Sequence, residues 1–425
     1  MTASADLPDS LARKPAMVVA ALAGMCFLVL AATLVPWDWV PGGTLRPLPA
    51  SEVFTPAEIA RAEEYSSLRR YLGWASLLVS VLVALGLGLS PWGSRLVRML
   101  TGRLRWWLAV PAGALALVVI GRLVTLPLSL LIRQRNLDYG LTNQAIGGWS
   151  VDYVKSLLLS WVFTGLLLLV VVGFARRSPR LWFAWSAAAA LLLTVAGSFF
   201  YPVVVEPVFN TFTPMHAGPF KQSIFVLAEN EGVTVDDVLV ADASRRTTTV
   251  NAYVSGFGGT RRVVVYDNLL NQLTADQARS VIAHELGHAR HNDVLVGTAL
   301  GGVGSVFGVA VLALLLDSAA LRRRARVRGP GDPAVLALVL ALTTVGSLAA
   351  SPVQNGISRA VEARADRAAL LATGQEKVFI EMQHQIAVRS LSDPTPPALS
   401  QFWFGSHPTV LQRAGLPSSL ARTQR

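Results

Sequence analysis

The stretch TADQARSVIAHELGHARHND, residues 274–293, carries His284, Glu285 and His288 in the order H-E-x-x-H. At 3.6 residues per turn, positions four apart share one face of a helix, so both imidazoles can reach one metal ion. Glu285 sits one residue round and can take a proton from a water that the metal activates, which suits metal-assisted peptide hydrolysis. Thr274 and Gln277 form the T-x-x-Q of a capping box, which predicts a helix starting there with the motif inside it.

Working outward, the 425-residue chain is 52% hydrophobic and only 15% charged, with a mean hydropathy of +0.48. That composition belongs to a membrane protein. The formal charge of +11 would point a soluble protein toward nucleic acid. Here much of the arginine falls in short loops between apolar runs, where it reads as positive-inside signal, and nucleic acid is excluded as a partner. The single cysteine, Cys26, lies in an apolar run, so a disulfide framework and a cysteine zinc site are both excluded. Scarce lysine (Lys14, Lys155, Lys221 and Lys377) beside abundant alanine suggests a GC-rich genome, hence a multi-pass protein of a bacterial plasma membrane.

About 20 apolar residues cross a bilayer as a helix. Seven stretches qualify, at residues 16–37, 71–89, 106–131, 156–174, 181–203, 294–316 and 333–351. The first is long and followed by more hydrophobic chain, so it reads as a retained span and not a cleaved signal. Arg122 interrupts the third, and either lines a wet cavity or snorkels along its own helix. The chain divides into 1–203 with five spans, 204–293 with the motif, 294–353 with two spans, and 354–425. Between the fifth span and the motif the sequence predicts an amphipathic helix over 220–231, stopped by Gly232. Strands are predicted at 237–241, 247–254 and 262–267, the last two flanking a hairpin-like turn at 256–259. The run 251–254 looks like an edge strand, along which a substrate peptide could add. The motif helix is predicted to run unbroken into the sixth span, holding the histidines near a membrane face.

A catalytic zinc takes three protein ligands and one open position. His291 lies seven residues from His284, roughly 10 Å along the axis, too far for the same ion. His407 is possible, but residues 355–366, NGISRAVEARAD, serve better. There Asn355, Arg359, Glu362 and Asp366 form one polar stripe on a helix that begins where the seventh span ends. Glu362 is the expected third ligand of one zinc ion per chain, and Asp366 a carboxylate that orients a ligand imidazole.

Five segments carry a resemblance. They are YPVVVEPVFNTFTP at 201–214, SRRTTTVNAY at 244–253, HELGH at 284–288, NGISRAVEARAD at 355–366 and SHPTVLQR at 406–413. In that order they resemble the type 1 CAAX prenyl proteases. The resemblance implies a mainly α membrane protein whose seven transmembrane helices enclose a water-filled chamber, with a small α+β gluzincin-like catalytic domain. It implies zinc on His284, His288 and Glu362, with Glu285 as general base. It also places Asn251 and His407 near the metal, and leaves Arg413 either bracing the C-terminal segment or meeting a substrate carboxylate. Arg359 belongs to the same motif. Leu141 departs from the phenylalanine common after Gly140.

Two functions share this chemistry. One is a CAAX-type zinc endopeptidase acting on a peptide or protein substrate, lipidated or membrane-associated. The other is a quality-control or peptide-processing metalloprotease indifferent to prenyl groups; a non-catalytic scaffold fits the intact motif poorly. The resemblance implies a metal site facing the cytosol, whereas the arginine-rich loops all lie on the face opposite the motif, and by the positive-inside rule that face is cytoplasmic.

Overall fold

A computed structural model describes residues 13–40, 45–256 and 261–421. Backbone polar groups find no water in a bilayer, so the apolar stretches must satisfy them internally as helices. Seven helices are long and apolar enough to cross: Arg13–Leu34, Pro56–Gly88, Trp106–Asp138, Ile146–Arg177, Trp182–Phe209, Asp293–Asp317 and Pro333–Thr373. They are called here the first to seventh spans. The last is 41 residues long, about twice what a bilayer needs, so one end must project into water.

The second to seventh spans form a ring, each packed on its neighbours, with the sixth and seventh closing it and the first lying outside against the sixth. Burial within the ring is concentrated at one end. Val110 and Ala114 of the third span, Leu168 and Val172 of the fourth, Phe183 of the fifth and Leu336 of the seventh share one apolar core there. Toward the other end, residues 118–138, 146–164 and 342–359 include no fully buried position. The helices therefore pack tightly at the core and more loosely beyond it, toward the metal-site end. Arg122, midway along the third span, reaches across to Ser160 Oγ of the fourth at 2.9 Å, so it is bound inside the ring's wall and does not snorkel.

At the metal-site end sits a four-stranded sheet in the order β1-β2-β4-β3, comprising β1 (Phe212–Pro214), β2 (Asp237–Ala241), β3 (Ala252–Ser255) and β4 (Arg262–Tyr266). β2 and β4 pair in parallel, and the outer pairs are antiparallel. The helix Pro219–Asn230 and the motif helix Ala275–Arg290 pack on this sheet. Residues Ala369, Leu370, Phe379, Met382 and Leu416 belong to the same core, so the segments on either side of the last two spans fold as one body.

Two sequence expectations need correction, and one strand carries no signal in the sequence. The strand expected at 247–254 begins only at Ala252 and runs to Ser255; Thr247–Thr249 is irregular because the Asn268 amide takes the carbonyls of Thr247 and Thr249. The short strand β1 was not foreseen, since three residues carry no readable alternation. The motif helix also does not run unbroken into the sixth span. Asn292 adopts a left-handed conformation (φ 54°), ending one helix and starting the next at Asp293. The turn expected at 256–259 lies outside the described residues from 257 onward.

Gly88 marks the tightest contact of the converged end. A Cβ there would lie 2.3 Å from Ala341 Cβ and 2.5 Å from the Ala337 carbonyl of the seventh span, whereas one at Gly86 would meet nothing. Overpacking of this kind costs about 1–3 kcal/mol. Gly88→Val should lower the thermal midpoint of the detergent-solubilised protein, while Gly86→Ala leaves it unchanged or slightly raised; equal midpoints would refute the close packing.

Candidate metal centre

The motif helix begins at the anticipated capping box, with the Thr274 hydroxyl accepting from the Gln277 amide and the Gln277 side chain accepting from Thr274. Leu286 is fully buried beneath it. Gly287 lets the helix cross close to the projecting end of the seventh span, since a Cβ there would lie 3.0 Å from Ala368 Cβ and 3.4 Å from Ala365 Cα. That crossing sets His284 and His288 opposite Glu362.

The donor atoms converge. His284 Nε2 is 3.2 Å from His288 Nε2 and 3.2 Å from Glu362 Oε2, and His288 Nε2 is 3.7 Å from Glu362 Oε1. The opposite ring nitrogens face carboxylates: His284 Nδ1 lies 2.9 Å from Asp366 Oδ1, and His288 Nδ1 lies 2.8 Å from Asp293 Oδ2. His288 Nδ1 bonds Asp293, and His284 Nδ1 faces Asp366 closely but out of hydrogen-bond alignment; with the ring protons on Nδ1, both Nε2 atoms are lone pairs pointing at each other. Glu362 Oε2 is buried with no aligned hydrogen-bond donor. Three lone-pair donors in close array repel unless a cation lies among them. Ligands on a tetrahedral ion with bonds of about 2.0–2.1 Å stand roughly 3.3 Å apart, so the residues fit a divalent metal.

The carboxylates behind the imidazoles are themselves held. Arg413 grips Asp366 with two hydrogen bonds, at 2.8 and 2.6 Å, and both side chains are buried or nearly so. Removing one partner of such a pair costs about 3–5 kcal/mol because a bare charge stays behind. Arg364 pairs with Asp293. Sequence reading missed Asp293 and Arg364; the signal available was an acidic residue five positions beyond the second motif histidine, which is within reach only because the helix breaks at Asn292.

The polar stripe is not a solvated face. Asn355 donates to the Trp403 carbonyl at 2.6 Å, and Arg359 donates to the carbonyls of Gly405 (2.6 Å) and Gln401 (3.2 Å). These bonds fasten the C-terminal segment so that His407 Nε2 comes within 3.2 Å of Glu362 Oε2 while its side chain stays half exposed. Glu285 is partly buried, and that burial pushes its carboxyl above the ordinary range. Asn251 is exposed and sits where β3 begins, at the sheet's edge, as expected. His291 turns back onto the Gly287 carbonyl at 2.8 Å and is not among the donors.

Residues 216–415 match peptidase family M48, and residues 43–211 match the CAAX prenyl protease N-terminal region of five membrane helices. The Bacillus subtilis uncharacterized metalloprotease YhfN is 30% identical over 365 residues, covering 84% of this chain and 85% of that one. The chain belongs to the CAAX prenyl protease family. Saccharomyces cerevisiae CAAX prenyl protease 1 is 30% identical over 158 residues, 37% of this chain and 35% of the yeast protein. The crystal structure of S. mikatae Ste24p superposes with a TM-score of 0.78 at 21% identity, covering 95% of this chain and 98% of that one, and so shares the fold. As a family member the protein is a multi-pass membrane metallopeptidase, metal-dependent, with peptide or protein substrates.

Asp293→Asn keeps the shape but weakens the acceptor that holds His288. Loss of such a partner lowers metal affinity roughly 10- to 100-fold. Competition against a chelator should show that drop with the fold intact by circular dichroism; unchanged affinity would make Asp293 a bystander.

Proposed function

We propose that the protein is a zinc endopeptidase of the membrane surface, with the ion held by His284, His288 and Glu362. The single observation that carries this reading is the convergence of two imidazole lone pairs and an unpartnered carboxylate oxygen, a nitrogen and oxygen set suited to zinc. When bound there, the ion supplies Lewis-acid polarisation of a carbonyl and acidification of water.

The chain's own residues supply the rest. Glu285 accepts a proton from the attacking water and returns it to the departing amine, and the burial that raises its affinity for protons favours the first half of that cycle. Asp366 and Asp293 hold the two imidazoles in the tautomer that presents Nε2. A substrate strand adding along the free edge of β3 brings its carbonyl past Asn251, and His407 stands across the same opening to steady the developing oxyanion. Arg413 and Arg359 act through the groups they position, the first through Asp366 and the second through the segment that carries His407.

Main-chain recognition at an edge strand gives loose side-chain specificity, which favours a peptide-processing or quality-control role as readily as cleavage of a prenylated CAAX terminus. The two separate by presenting purified protein with a farnesylated CAAX peptide and the same peptide unprenylated. Glu285→Gln should retain about one zinc per chain while losing about 10²- to 10⁴-fold in turnover. Full activity in Glu285→Gln would overturn the assignment of the base, and a protein that never binds zinc would overturn the whole reading.

A further inference from the structure

A cavity of about 420 Å³ lies where the polar start of the second span, the loop after the third span and the end of the helix Glu376–Ser390 meet. His284, His288, Glu362, Asn251 and His407 are not among the residues that line it. Much of its wall is apolar: Phe54, Ala62, Leu141, Ala387 and Leu391 are all buried against it. Its charge comes from two guanidiniums, those of Arg61 and Arg389. Arg389 is fastened only to uncharged acceptors, Gln272 Oε1 at 3.2 Å and the Gln272 carbonyl at 3.0 Å, and its Nε is buried with no partner. Arg61 is exposed and lies 5.9 Å from the centroid of the Tyr139 ring. Among the described residues no carboxylate forms an ion pair with either arginine. The one acidic residue in the wall, Glu58, is already engaged. Its Oε2 accepts from the Thr55 amide at 2.8 Å and the Thr55 hydroxyl at 2.9 Å, and its Oε1 lies 3.2 Å from His384 Nε2.

We infer that this cavity is a binding site, separate from the metal centre, for a small amphipathic anion: a carboxylate or phosphate head between Arg61 and Arg389, with a short aliphatic body against Leu141, Ala387 and Leu391. A guanidinium withdrawn from water needs charged or hydrogen-bonding partners, and its planar fork matches carboxylate and phosphate oxygens. The apolar wall rewards an aliphatic body, which a bare inorganic ion lacks. The charged side is also preformed. The Gln272 amide that neighbours Arg389 donates to the Thr248 carbonyl at 3.2 Å, and the Thr248 hydroxyl donates to the Gly140 carbonyl at 2.9 Å. Arg389 is thus tied through Gln272 and Thr248 to the loop that carries Leu141, and an anion entering there finds its partners already placed. The same chemistry is offered by an anion from solution and by the head of an anionic lipid.

The test uses the full-length protein in phosphatidylcholine nanodiscs and, as probe, hexanoate bearing a terminal trifluoromethyl group, followed by its fluorine NMR line width. The matching alcohol is the uncharged counterpart, and empty nanodiscs are the blank. The acid should broaden beyond the blank and the alcohol should not. Arg61→Gln and Arg389→Gln should each weaken binding about tenfold or more, and Arg389→Lys should keep most of it. Ser392→Trp, at an exposed position of the cavity wall, should block the probe without touching either arginine. Adding phosphatidylglycerol to the bilayer, with salt to screen the surface charge, separates the two sources. Displacement of the probe assigns the site to a lipid head, and undiminished binding assigns it to a soluble anion. Equal broadening by acid and alcohol, or binding that Arg61→Gln and Ser392→Trp both leave unchanged, would overturn the inference. These measurements need neither zinc nor turnover.

Discussion

The crossing of the motif helix over the projecting end of the seventh span is the contact on which the rest depends. Gly287 gives up its side chain so that the helix can rest on Ala365 and Ala368, and one turn to either side the functional groups meet. Glu362 and Asp366 come from one helix and His284 and His288 from the other, so neither helix carries a site alone. Buried carboxylates and imidazoles in such numbers need partners: Arg413 serves Asp366, Arg364 serves Asp293, and the three donors in between fit a cation.

The helix Leu336–Thr373 is continuous from the converged end of the ring to Glu362 and Asp366, so the membrane ring and the candidate site share one element. Asn355 and Arg359, on the stretch between membrane and metal, fasten the C-terminal segment and thereby bring His407 to the centre. In sequence Asn355 and Arg359 lie 67 and 71 positions beyond His288, and His407 lies 119 beyond it. The fold brings them together by sending the chain twice through the bilayer and back.

Much of this was legible from residue order. Seven spans follow from apolar length, because a bilayer leaves the backbone no other choice, and the capping box announced where the motif helix begins. Glu362 emerged from the periodicity of a polar stripe. What could not be read was anything set by a single backbone angle or a short contact. Asn292 breaks a run whose apolar pattern continues smoothly, and only that break turns Asp293 toward His288. Thr247–Thr249 read as strand by composition, but their carbonyls are claimed by the Asn268 side chain, a pairing between segments that no local pattern encodes. The role of Asn355 and Arg359 as a rail for residues 401–405, in place of a solvated face, likewise needed the tertiary contacts.

The central claim is that two imidazole Nε2 atoms and the Glu362 carboxylate hold one metal ion. X-ray absorption at the zinc edge on the purified full-length protein tests it most directly. The account predicts stoichiometric zinc in a shell of nitrogen and oxygen at about 2.0–2.1 Å, with the outer scattering of two imidazoles that falls away in Glu362→Ala. A zinc-free protein, or a spectrum that the loss of Glu362 leaves unaltered, would contradict it.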